Sequence, residues 1–134
     1  MVDQKVINEW LSKADEDYAF ASSVIESSTF YAQICFHFHQ AAEKYLKTII
    51  IAMDLEFKKI HDLPVLLKSC LTKAPALEAI VADCKLLNRF YIDTRYPVHW
   101  PTQYSKEEAF NAKHAVDSIR KEVIKVIEPF LSSK

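Results

Sequence analysis

Apolar residues recur along most of this chain at spacings of three and four, the period of a helix with one buried face. Ile7, Leu11, Ala14, Tyr18, Ala21 and Ile25 form one seam and predict a first helix from about Gln4 to Ser27. The Ser27-Ser28-Thr29 break separates it from a second helix, about Phe30 to Met53, with Tyr31, Cys35, Phe38, Ala42, Tyr45, Ile49 and Met53 on one face. Ile34, Phe36, Ile50 and Ile51 extend apolar character around that helix, which marks it as the interior one. Asp62 suits the N-cap of a short third helix, with Pro64 tolerated in its first turn. Pro75 opens a fourth, with Leu77, Ile80, Val81, Cys84, Leu87 and Tyr91 inward and an end near Thr94. Ser105 and Glu108 make a capping box for a fifth, whose seam is Ala112, Val116, Ile119, Val123, Val126 and Phe130. Four long helices and one short one predict an all-α fold, an antiparallel up-and-down four-helix bundle.

Composition narrows the chemistry. The chain has 134 residues and no glycine, which excludes glycine-rich phosphate loops and disfavours tight hairpins. At that length, residues 1–134 are expected to be a single domain. No apolar run approaches the roughly 20 residues of a membrane span, and the charged start is no signal peptide, so a cytoplasmic protein is expected. Net charge is −1, too balanced for an extended duplex DNA-binding face. Cys35, Cys70 and Cys84 lie in apolar patterns and read as packed thiols. The histidines show no metal-ligand spacing, so neither a metal site nor a cofactor is expected. His114 reads as a surface residue, and His61, beside the Asp62 cap, as a local capping residue.

Two segments carry candidate chemistry. Residues 91–100, YIDTRYPVHW, gather Arg95, His99, Tyr91, Tyr96 and Trp100 around Pro97. Arginine offers a planar fork of donors for phosphate, and aromatic faces stack on bases. Tyr96, Trp100 and Tyr104 serve equally well as apolar caps on the bundle's end. On the second helix, Gln33, His37, Gln40, Glu43, Lys44 and Lys47 form a polar stripe. Its simplest reading is a solvated face. Phe36 and Ile51 along the same stripe argue instead for partial enclosure, with Arg95 and Tyr96 completing it. Arg95 and His99 also suit metal-independent RNA cleavage by residue type, although Pro97 between them interrupts a shared helix face.

The chain resembles the HEPN family at four places: W-L-x-x-A-x-x-D (Trp10, Leu11, Ala14, Asp17), Q-A-A-E-K-x-x-K (Gln40, Ala41, Ala42, Glu43, Lys44, Lys47), H-D-L (His61, Asp62, Leu63) and T-R-Y-P (Thr94 to Pro97). The resemblance implies an up-and-down bundle, a homodimer, and association with a separate minimal nucleotidyltransferase, in some cases as a toxin–antitoxin pair. The family's nuclease branch carries R-x4-6-H, whereas this chain has R-x3-H, Arg95 to His99, with Pro97 between. Three readings follow. In the first, a non-catalytic module binds a nucleotide or RNA: Arg95, Lys44 and Lys47 meet phosphate, Tyr96 and Trp100 stack, and Gln40 and Glu43 orient them. In the second, an RNase toxin uses Arg95 and His99. In the third, the stripe merely holds a structural dimer together.

Overall fold

The computed structural model describes residues 2–95 and 104–131, the last four of the first stretch by backbone alone. The chain is helical: α1 (Gln4–Val24), α2 (Tyr31–Ala52), α3 (Leu63–Leu71), a 3-10 segment (Pro75–Ile80), α4 (Val81–Arg95) and α5 (Lys106–Leu131). No strand occurs among the described residues, and no helix there is long and apolar enough to cross a membrane.

Local signals in the sequence act where expected. The Asp3 carboxylate caps α1 by accepting from the Lys5 amide. Asp62 accepts from the Val65 amide at 3.1 Å and caps α3. At α5, the Glu108 amide donates to the Ser105 hydroxyl at 3.1 Å while the Ser105 amide donates back to the Glu108 carboxylate at 2.9 Å, a complete capping box. Without glycine, the turn just past α2 uses Asp54, the one described residue with positive φ (54°). The Leu55 amide then closes onto the Ile50 carbonyl at 2.9 Å.

Three details depart from the pattern. The fourth helix is expected from Pro75, yet Pro75–Ile80 winds as a 3-10 segment and α4 begins at Val81. Leu77 and Ile80, three apart, are both buried there, which the three-residue turn of a 3-10 helix permits. On α5, Ile127 rather than Val126 is fully buried, and Phe130 is exposed. The seam steps by four from Val123, and Pro129 stands in the helix's last turns. On α4, Phe90 joins Cys84 and Leu87 in the core.

α2 lies inside, touching each of the other four α-helices, most extensively α1. Ala14 and Ala21 of α1 and Ala41 and Ala42 of α2 are fully buried, and their small side chains let the helices approach closely. Cys35, Cys70 and Cys84 are free and buried, and burial pushes each thiol up to about 12. They are protonated packing groups. Tyr104 is buried edge-on against Phe90, with ring centroids 5.4 Å apart, so it caps the core. His114 is exposed.

One polar tie crosses the interior. The fully buried Tyr45 hydroxyl donates to the Asp15 carboxylate. Arg120 of α5 grips the same carboxylate, with Nε at 2.9 Å and a second nitrogen at 3.4 Å. Burial and the adjacent Asp15 charge hold the Tyr45 phenol well above its usual range. Tyr45→Phe is therefore expected to cost about 1.5–3 kcal/mol, the net value of a hydrogen bond to a charged group. Urea denaturation measures this directly, and a loss below about 0.5 kcal/mol would contradict the role assigned to the hydroxyl.

Candidate functional site

The polar stripe of α2 divides between two neighbours. His37 and Lys44, seven residues apart, turn toward Asp17 of α1. The Lys44 ammonium lies 2.5 Å from that carboxylate, and His37 Nδ1 lies 3.8 Å from it. Glu43 and Lys47 turn the other way and are enclosed, only 7% and 6% exposed. Gln40 is half-buried between the two groups, and Gln33 is exposed. Enclosure thus prevails over solvation at Glu43 and Lys47, while Gln33 remains a solvated position.

A buried carboxylate requires counter-charges and donors. Glu43 Oε2 accepts from Lys47 Nζ at 2.7 Å, and both carboxylate oxygens face His61 Nδ1, at 3.1 and 3.0 Å. His61 is therefore not a capping residue. Asp62 alone caps α3, and His61 reaches back across 18 residues to α2. Lys47 is covered by Phe57, whose ring lies 5.5 Å from the ammonium, and Trp10 of α1 packs on Phe57 with ring centroids 5.5 Å apart.

His39 completes the wall. It is fully buried, and its Nε2 lies 3.1 Å from the His61 carbonyl, to which it donates in the tautomer this contact requires. Asn88 of α4 fixes the entry to α3 by accepting from the Leu63 amide at 2.8 Å. Tyr91 of α4 then lies almost parallel to three rings: His61 at 4.7 Å, His39 at 5.4 Å and Phe36 at 6.3 Å. Arg95, the last residue of α4, follows one helical turn later, about 6 Å along the axis.

Among the other sequence-predicted residues, the side chain of Arg95 and all of Tyr96, His99 and Trp100 lie outside the described residues. Their meeting with the α2 stripe stays an expectation. Within the described part, Glu43 and Lys47 come together, whereas Lys44 joins Asp17 on another side. His61 and His39 are the site residues that sequence reasoning missed, whereas Tyr91 was among its candidates. The H-D-L run was the available signal for His61, because a cap needs only Asp62. Among the described residues, no three His, Cys, Asp or Glu side chains are grouped to hold a metal ion. A separate groove of about 680 Å³ runs between α1 and α5, lined by residues that include Asp15, Asp117, Arg120 and Lys121. Asp15 and Asp117 there are already bound to Arg120 and Lys113.

The enclosed charges generate two predictions. Glu43→Ala strands the Lys47 ammonium and is expected to cost about 3–5 kcal/mol, whereas the apolar pair Glu43→Leu with Lys47→Met recovers most of that loss. Denaturation of the two variants decides it, and a cost under about 1 kcal/mol for Glu43→Ala would be incompatible with a buried pair. His39 supplies the second. Burial, outweighing the nearby Glu43 charge and the bond to the His61 carbonyl, lowers its pKa from 6.5 to about 4. The native state keeps this ring neutral while the unfolded chain protonates it below its ordinary value. Its stabilising contribution is full above that value and is lost as pH falls toward 4, by roughly 2–3 kcal/mol between pH 7 and 4.5. His39→Gln, though less stable at pH 7, should show a flatter acid branch by that amount, and parallel acid branches would rule the account out.

The HEPN domain family matches residues 7–127. Among solved structures, the chain is similar to TT1696 from Thermus thermophilus, at 28% identity and a TM-score of 0.80, over 90% of this chain and 97% of that one. It is similar in fold to ST0689, an archaeal HEPN homologue, at 23% identity and a TM-score of 0.72, over 94% and 98% of the two chains. No curated protein matches it. The motifs noted in the sequence and the helical fold agree with the family match, and this chain belongs to the HEPN family.

Proposed function

We propose that this chain is a non-catalytic nucleotide- or phosphate-binding subunit, acting as a homodimer of up-and-down antiparallel bundles beside a minimal nucleotidyltransferase. The family includes nucleotidyltransferase-associated members as well as RNase toxins, which makes such a partner a natural one. The single observation that carries the reading is the position of Arg95. It ends α4 one turn past Tyr91, whose ring is stacked against an imidazole that the enclosed Glu43–Lys47 pair orients.

In this reading Arg95 is the direct phosphate contact, since a guanidinium matches phosphate oxygens two at a time. Tyr96 and Trp100 stack on the base. Lys44 and Lys47 contribute positive charge from ion pairs with Asp17 and Glu43. Gln40 sits between those pairs and, with Glu43, orients the approach. The transferase supplies the chemistry, so the bundle needs only to bind and present.

Titration of ATP into the protein, alone and with the transferase encoded by an adjacent reading frame, tests this. Wild type should bind, and Arg95→Ala should bind at least about tenfold more weakly, the loss expected for a charge-assisted contact. Failure of wild type to bind in either setting would end the proposal.

A further inference from the structure

Resting on that reading, we propose that His61, oriented by Glu43, is a direct contact to the ligand's phosphate group, and that Glu43 and Lys47 act through it as positioning residues. Glu43 is nearly sealed from solvent and its oxygens are already committed to Lys47 and His61. A ligand could reach either buried group only by breaking the pair. The imidazole is different: its side chain is 44% exposed. Glu43 fixes its Nδ1 edge, and Tyr91 fixes its plane at 4.7 Å and 23°. Its Nε2 lies on the opposite edge, and no hydrogen-bond partner for it occurs among the described residues.

This is a preset imidazole of the kind that a carboxylate creates by binding Nδ1–H, leaving Nε2 for the outside. Neutral, Nε2 accepts a hydrogen bond. With a second proton on the ring it donates one, and an anionic phosphate oxygen selects that form. Binding of an anionic phosphate oxygen is thereby linked to protonation of the ring. Among the described residues, the titratable or charged groups around the ring are Glu43, its partner Lys47 and His39 from α2, Tyr91 from α4 and the adjacent Asp62. Glu43 stabilises the added charge while Lys47 opposes it. Tyr91 stands one turn before Arg95, so the imidazole borders the end of α4 that Arg95 closes.

The probes are ATP and inorganic phosphate, titrated calorimetrically in buffers of different ionisation enthalpy against wild type, His61→Ala, His61→Asn and Glu43→Gln. Wild type should take up protons on binding ATP. His61→Asn keeps a donor for Glu43 at the position of Nδ1 and should preserve the melting temperature, but should lose the uptake and about tenfold in affinity. Glu43→Gln should reduce the uptake more than the affinity. Inorganic phosphate should show the same dependence on His61 if phosphate, and not the nucleoside, is what His61 contacts. Binding of ATP by wild type with equal affinity and equal proton uptake in both His61 variants would overturn this inference and leave the Arg95 reading standing. Absence of ATP binding by wild type would overturn both. Should His61→Ala melt early, His61→Asn decides.

Discussion

A single enclosed carboxylate sets the terms for this end of the bundle. Glu43 sits on the helix that all the others surround, where water is scarce and an unpaired charge would be costly. Its neutralisation by Lys47, one turn along the same helix, is local. Its second partner, His61, comes from the loop before α3 and fixes where that loop can run. The loop's path then sets the start of α3, the placement of Phe57 over Lys47, and the side of α2 on which α4 lays Tyr91. Removing the carboxylate would therefore disturb loop, helix pair and ring stack together.

Being central creates the same demand elsewhere along α2. Tyr45 carries its hydroxyl into the core and must find Asp15, which in turn needs Arg120, so one phenol joins α1, α2 and α5. Lys44 is half-buried and finds Asp17. His39 is buried outright, and burial keeps it neutral while its Nε2 donates to a backbone carbonyl. These ties specify register: each works only when its helix is turned and shifted to one position, whereas apolar packing alone tolerates sliding.

The helices were legible because their signals are local. Seams at Ile7–Ile25 and Tyr31–Met53, the Asp62 cap and the Ser105–Glu108 box all act within a few residues, and each is present in the fold. The 3-10 segment was not legible, because Pro75 opens either kind of turn and tertiary packing of Leu77 and Ile80 chooses. At the site, the polar stripe was visible but its division was not. Spacing says which residues share a face, and not which neighbour each meets. The Glu43–His61 contact joins positions 18 apart through a loop with no regular period, so no pattern reading could reach it. Expectations about Tyr96, His99 and Trp100 fall outside the described residues.

The motif residues acquire a different meaning once their contacts are followed. Asp17 of the first motif holds Lys44 of the second, Glu43 and Lys47 of the second hold each other, and His61 of the third closes on Glu43. Trp10, also of the first, shields Lys47 through Phe57. A sequence signature of charged and aromatic residues invites reading every member as a ligand contact, but charges saturated by one another and shut off from solvent act first on the fold. Their energetic weight lies in keeping one edge rigid: an imidazole with its plane and one nitrogen fixed, beside the last turn of α4. Preorganisation of that kind lowers the cost of ordering on binding. Interior pairing and surface recognition are then two consequences of one arrangement, with the buried members setting geometry and the half-exposed member meeting solvent.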